Sequence, residues 1–476
     1  MGVSGLVPFL TKTVPETVKK VLLEDLKNFT IAIDGTLFIR KFYASPRYTV
    51  NHPKKALAFA FHLARACRQM NIFPVVLFDG KDCTPAKLKE RARRKLIFEQ
   101  HLVRVSEEKA RNSRLTNLKT LLKKVGKLPA EEQKKIILAA KPLLETSAVP
   151  KPGLVVTGKE TIKPKEKPVK LDSSTQALAN KFTKLVADVL SRHDTLSKNE
   201  VTLVRTIVAQ DGEVVISKMV ENTYYLEEET QKTLVNFQRR VEKPKGADLK
   251  IAKKALSALG ISVITTNLFE AECHAAALVK NGCAELTASE DTDVLLYGSP
   301  MLRGFMTSQA HDNMFLVKPH IVQETMGLSE SEFLDFAILC GTDFSDRIPK
   351  VGPSKAIELI KQYHTIEDIV NHLSQHKNKG GNCKFSVPES YLQEVAEART
   401  VFTSLPGLEK PHTNLGNLKE TWFSMSLDAY QAREDKVLEQ CETTWKDLRG
   451  LSTEKYTFSI HNPFGENIFQ DQPNHL

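Results

Sequence analysis

Phe29-Thr30-Ile31-Ala32-Ile33-Asp34-Gly35 is the stretch on which the fold turns. Five apolar or β-branched residues in a row suit a strand buried on both faces, and the run stops at a carboxylate followed by glycine. Thr36 to Phe42 then has a helix-compatible pattern, so the segment reads strand, acid, helix. The same unit recurs downstream. Ala56 to Met70 is helical and largely apolar, Phe73-Pro74-Val75-Val76-Leu77-Phe78 is a second buried strand, and Asp79-Gly80 ends it.

A third and fourth strand are expected at Ser262 to Thr265 and Glu285 to Ala288, with helices Asp248 to Leu259, capped by Gly260, and Glu270 to Lys280 between and before them. Strands alternating with helices predict an α/β fold, a central and mostly parallel sheet flanked by helices. In such a sheet ligands bind at the carboxyl ends of the strands, where Asp34, Asp79, Asp291 and Asp293 fall.

Between the two β/α stretches the chain changes character. Lys87 to about Lys127 is helix-forming and strongly basic. Residues 149–174 are rich in Pro and Lys with almost no large apolar side chain after Val156, which reads as a flexible linker, and helical patterning resumes from Gln176 to about Val241. The expected organisation is a first β/α region over 1–104, a basic helical spacer over 105–247, a second β/α region with a helix-turn-helix over 248–374, and a C-terminal region over 375–476. That last region has helical stretches, Trp422, Trp445 and a Pro/Asn-rich tail but no chemical motif, so packing on the core and recruiting a protein partner are both open to it.

Composition sets outer bounds. The 476 residues, 41% hydrophobic and 26% charged, suffice for sizeable cores, and the formal charge of +10 suits a polyanionic partner. No run of about 18 apolar residues is present to span a bilayer, and no secretory signal order is seen at the N-terminus. Seven scattered cysteines without a C-x-x-C pair argue against structural zinc and for an intracellular, reducing home.

Singly, the acidic motifs say little. Glu270-Ala271-Glu272 reads as ordinary charge at a helix N-terminus, and Asp291-x-Asp293 as an acidic surface turn. Gly341-Thr342-Asp343 follows an apolar helix and leads to Lys350-Val351-Gly352-Pro353-Ser354-Lys355, where a Gly-Pro turn opens a new helix whose free N–H groups suit a phosphate. Together, Asp34, Asp79, Glu270, Glu272, Asp291, Asp293 and Asp343 supply only hard oxygen donors. That donor set suits Mg²⁺ or Mn²⁺ and disfavours zinc, and acids so gathered need cations to share their site.

The order of these motifs resembles the flap endonuclease/XPG family of structure-selective 5′ nucleases. The matching pieces are Met1-Gly2-Val3-x-Gly5-Leu6, Ala32-Ile33-Asp34, Phe78-Asp79-Gly80-Lys81, Glu270-Ala271-Glu272, Ser289-Glu290-Asp291-x-Asp293 and Gly341-x-Asp343. The resemblance covers about 1–104 and 248–364. It implies a PIN-like 5′-nuclease fold with a helical arch, and an Mg²⁺-dependent endo- or exodeoxyribonuclease of DNA repair that acts in the nucleus as a monomer on branched or end-containing duplex DNA.

Carried over residue by residue, the family's seven metal-binding carboxylates fall on the seven acids above, holding two Mg²⁺ or Mn²⁺, with Asp34 and Asp79 also counted as catalytic. The family's Lys and Arg at the foot of the arch, two helical turns apart, fall on Lys87 and Arg94, with Lys89 and Arg93 as substitutes. Gly2 is expected beside the active site, and Val351, Gly352, Pro353, Ser354 and Lys355 on duplex phosphate through a monovalent cation such as K⁺. Three departures stand out: Asn267-Leu268-Phe269 replaces a Pro-containing lead into the glutamates, Lys350 stands where glycine is common, and Arg40 where a base-stacking aromatic or His is usual, so that Phe38 or Tyr43 would do the stacking. Two alternatives stay open, a catalytically inactive nucleic-acid-binding scaffold and an RNA-directed nuclease or regulator of the same fold.

Overall fold

The structure is a computed structural model, and it describes residues 2–80, 87–146, 172–192, 197–209, 215–305, 314–375, 385–407, 415–449 and 451. The chain divides into two compact units, residues 1–97 with 242–476, and residues 98–241.

The first unit is built on a seven-stranded sheet: β1 (Val18–Lys20), β2 (Thr30–Asp34), β3 (Phe73–Phe78), β4 (Ser262–Thr265), β5 (Leu286–Ala288), β6 (Met301–Arg303) and β7 (Phe315–Val317), in the spatial order β1-β7-β6-β5-β2-β3-β4. Strands β4, β3, β2, β5 and β6 run parallel, and β7 and β1 close one side antiparallel. The expected α/β class is what forms. The two longest strands are buried at every position, as their uninterrupted apolar runs require. The three strands that sequence patterning passed over, β1, β6 and β7, have three residues each, too few to show a period.

Register places the acids. Asp34 is the last residue of β2 and pairs with Leu77 of β3, so Asp79 emerges two residues beyond it, and Ile33 pairs with Ala288, from which the Ser289–Asp293 turn leaves. Because these strands are parallel, their carboxyl ends share one edge.

Apolar side chains fill both sides of the frame. One cluster joins β2 and β3 to the helix Lys55–Gln69 and to Trp422, Tyr430, Leu448 and Leu451 of the C-terminal region. Trp422 Nε1 donates to the Ile72 carbonyl at 2.8 Å, and Arg65 holds Glu434 at 2.7 Å with its guanidinium 4.0 Å from the Trp445 ring. The C-terminal helices therefore pack on the core, and the residues after 451 lie outside the described ones. A second cluster surrounds the helices Glu330–Cys340 and Pro353–Tyr363.

The second unit is helical. The long helix Leu88–Val125 enters it after Ile97, and its Leu118, Leu122 and Val125 pack with Phe182, Val186, Ile207 and Met219 from later helices into a core of the unit's own. The stretch expected as one helical pattern from Gln176 is three helices, Ser173–Leu190, Lys198–Val208 and Ile216–Val241. The expected linker at 149–174 falls largely outside the described residues, and its last two positions already belong to a helix capped by Asp172, whose carboxylate accepts from Thr175 N at 2.6 Å.

Candidate nuclease site

Each acid is held by the element it ends. Asp34 caps the helix Gly35–Ala44, accepting from Leu37 N at 2.9 Å, and its other oxygen accepts from Ser289 Oγ at 3.3 Å. Asp79 is fixed from two sides: its N–H donates to Thr36 Oγ1 at 2.8 Å and its Oδ1 accepts from Ala271 N at 2.9 Å, the first residue of the helix Ala271–Lys280. That bond ties the outlet of β3 to the pair Glu270 and Glu272. Ser289 Oγ also accepts from Asp291 N at 3.1 Å, and Asp291 Oδ1 accepts from Asp293 N at 3.2 Å, so one serine links two strand outlets.

The seven acids act on one another. Burial first and Asp79 next push the Asp34 carboxyl up to about 7. Burial, then Glu270, raises Glu272 far above the usual carboxylate range, and burial, then Asp291 and Asp343, does the same to Asp293. Asp291 is raised by burial and by Asp343. Acids 309 residues apart in the chain thus share one electrostatic environment.

Two cations stand among them. Lys87 Nζ contacts Glu270 Oε1 and lies 3.8 Å from both Glu272 and Asp343. Burial alone would depress this ammonium, but Glu272 and Glu270 outweigh it and raise it above the usual lysine range. Arg94 bonds Asp343 Oδ2 and also holds Glu90, which Arg93 shares from the other side. Lys87 and Arg94 therefore reach the acids, whereas Arg93 stays with Glu90 and the exposed Lys89 pairs with Asp346 at 2.6 Å and Glu394 at 3.2 Å.

The remaining candidates divide by burial. Gly2 adjoins Asp291, Thr292 and Asp293, with Val3 N donating to Thr292 Oγ1 at 2.8 Å. Arg40 is exposed and its charge reaches Asp34. Phe38 and Tyr43 correct the expectation that one of them stacks on a base: Phe38 is 1% exposed against Phe305, and Tyr43 is 5% exposed with its carbonyl holding Lys55 Nζ. They face the core side of the helix Gly35–Ala44, a periodicity that a short segment with aromatic residues on several faces conceals.

In the turn before Pro353–Tyr363, Val351 is buried, Gly352 is the N-cap with Pro353 at the first helical position, and Ser354 and Lys355 are exposed, with Lys355 bonded to Glu358. Lys350 adopts φ +71°, the left-handed conformation that explains why glycine is usual in that turn. Sequence reasoning assigned no role to Thr36, Ser289 and Thr292. Their only signal was a hydroxyl beside a strand-ending acid, a position from which Ser and Thr bond backbone.

The donor set fits hard divalent cations. Both oxygens of Asp293 and Oε2 of Glu270 are buried without a hydrogen-bond partner among the described residues, an arrangement that costs free energy until a cation meets it. As the side chains stand, no three acidic, His or Cys residues among the described ones are grouped tightly enough to grip an ion.

The geometry is thus an α/β sheet with carboxylates at its strand outlets and a Lys/Arg pair beside them. Two family models match the chain: the XPG N-terminal domain over residues 1–101 and the XPG I-region over residues 260–343. These two stretches, together less than half of the chain, make it similar to the XPG/flap endonuclease proteins. It is 26% identical over 92% of its length to an uncharacterized protein of Schizosaccharomyces pombe, covering 94% of that protein. Flap endonuclease 1 of Xenopus tropicalis is 32% identical over 38% of the chain, and the match spans 45% of that enzyme, less than half its length. Among solved structures, the catalytic core of Rad2 in complex with DNA substrate aligns over 92% of this chain and 99% of its own, at 12% identity and a TM-score of 0.46.

Proposed function

We propose that the chain is a divalent-metal-dependent DNA nuclease that hydrolyses phosphodiester bonds at 5′ flaps, ends or junctions. The observation that carries this reading is the convergence of seven carboxylates on one sheet edge, with Lys87 and Arg94 set among them.

Two Mg²⁺ or Mn²⁺ ions would be held by Asp34, Asp79, Glu270, Glu272, Asp291, Asp293 and Asp343. When bound, such ions supply the charge that makes water nucleophilic near neutral pH and that stabilises the leaving oxygen. The chain's own residues do the rest. Lys87 and Arg94 exchange their carboxylate partners for non-bridging oxygens of the scissile phosphate and offset the charge that grows there. Hydrolysis forms a bond from the water oxygen to phosphorus and breaks the bond to the 3′ oxygen, which takes up a proton, leaving a 5′-phosphate and a 3′-hydroxyl. The burial of Asp34, Glu272, Asp291 and Asp293 limits bulk water around the reacting atoms.

The exposed residues Arg40, Ser354 and Lys355, and the free N–H groups of the turn at Gly352, are assigned to duplex phosphates, with K⁺ as a bridging ion at that turn. A nuclear site of action in DNA repair and a monomeric state belong to the same proposal, and no described helix is long and apolar enough to cross a membrane. The test is cleavage of end-labelled flap, nicked, gapped, junction and single-stranded DNA, with matching RNA flaps, in Mg²⁺. Cutting near the branch by the wild type, lost in Asp79→Ala and Asp291→Ala while DNA binding persists, supports the reading. Absence of cutting by the wild type in Mg²⁺ and Mn²⁺ overturns it in favour of a binding scaffold.

A further inference from the structure

Lys253 lies on the helix Gly246–Ala258, and its side chain reaches over the outlet of β3. Its Nζ stands 5.1 Å from the centroid of the Phe78 ring and donates to Thr265 Oγ1 at 2.9 Å. Phe78 and Thr265 are paired in register and are the last residues of β3 and β4. Asp79 follows Phe78 directly, and its charge acts on the lysine. Lys253 thus belongs to the acid-bearing edge, but on the β4 side, about 4.8 Å of strand spacing beyond Asp79's own strand.

That position differs chemically from the one Lys87 occupies. Lys87 stands among three carboxylates, whereas Lys253 makes no ion pair with any described residue and rests on a neutral hydroxyl and an aromatic face. A half-buried ammonium so held keeps part of its desolvation cost unmet, and a ring face returns only a fraction of it. A diffuse anion arriving from solvent is the partner that completes such a site. At the rim of a nuclease centre that anion is a backbone phosphate, and Lys suits it as a point charge that needs no fixed fork geometry.

We propose that Lys253 is a substrate-positioning residue that holds the backbone phosphate next to the scissile one, on the β4 side of the acid cluster. The inference rests on the nuclease reading. It makes the centre bipolar along the strand path, with Lys87 and Arg94 on the scissile phosphate and Lys253 on its neighbour. Its role is to fix register, and it takes no part in bond making.

The experiment compares the full-length wild type with Lys253→Met, which keeps the aliphatic stem over Phe78, and Lys253→Arg, which keeps the charge. Binding of a labelled 5′-flap DNA is measured in EDTA across a salt series, and cleavage of the same DNA in Mg²⁺. Loss of one phosphate contact predicts that Lys253→Met lowers the slope of log affinity against log salt by about 0.9 and raises KM several-fold with a smaller change in kcat, while Lys253→Arg stays near wild type. A Met variant with wild-type slope and KM overturns the proposal. So does a Met variant that loses melting temperature with an unchanged slope, since the lysine then serves only packing. If the wild type binds the flap but does not cut it, the nuclease reading fails by itself, and the salt slope still decides the role of Lys253.

Discussion

A Cβ on Gly2 would lie 2.3 Å from Oδ1 of Asp291, and the backbone of Gly2 sits at φ +77°. The same added carbon would stand 2.8 Å from Asp293 N, which donates to Asp291. The second residue of the chain is therefore fitted against two of the acids it precedes by almost 300 positions.

Gly2→Ala is expected to displace Asp291 and Asp293 together, because neither the left-handed backbone nor the close approach tolerates a side chain. Misplacement of about 1 Å at such a centre costs roughly a hundredfold in rate. Steady-state cleavage of flap DNA should show that loss in kcat/KM with DNA affinity little changed. Wild-type rates in the alanine variant would mean that the N-terminal segment moves away without consequence.

Divalent metal should stabilise the fold, and Asp293 should decide the sign of a crossing effect. The Asp293 carboxyl is raised by burial and by Asp291 and Asp343, so its folded-state value lies above the unfolded one, and the stability it gives when protonated is lost as pH rises through that folded value. At pH 8 in EDTA, Asp293→Asn should therefore melt above the wild type. Saturating Mg²⁺ at about a hundred times its Kd should add about 2.7 kcal/mol to the wild type and much less to the variant. Calorimetry in EDTA and in Mg²⁺ checks both halves.

His62 sets an acid limit away from the site. It is buried against Tyr48 Oη at 3.3 Å and beside the Phe42 ring, and burial, with a smaller contribution from Arg47, lowers its imidazole to about 3. A depressed folded value means that stability is complete above about 6.5 and falls as pH drops from there toward 3. The slope due to this residue should approach about 1.4 kcal/mol per pH unit, and a His62→Gln variant should show a shallower decline between pH 6 and 4 in urea titrations.

Trp422 should anchor the C-terminal region. Its ring is 1% exposed, its Nε1 bonds the Ile72 carbonyl just before β3, and Arg68 bonds its carbonyl. Trp422→Ala is expected to cost about 3–5 kcal/mol in denaturant unfolding. A loss below about 1 kcal/mol would show that residues 415–451 are an appendage to the sheet and its helices.

Much of this arrangement was legible in the residues. The repeated strand–acid–helix unit at Asp34 and Asp79 names the parallel sheet, because an uninterrupted apolar run needs cover on both faces and parallel strands deliver their ends to one edge. The seven acids, and Lys87 with Arg94, could be named because the motifs that carry the family resemblance are short and local in sequence. Tertiary structure alone decided the rest. Which face of the helix Gly35–Ala44 is buried, and so removes Phe38 and Tyr43 from base stacking, depends on what packs against it. That Trp422 closes the core, that Gly2 touches Asp291, and that Lys253 arrives over Phe78 are contacts between segments far apart in the chain, and no local pattern encodes a distant partner.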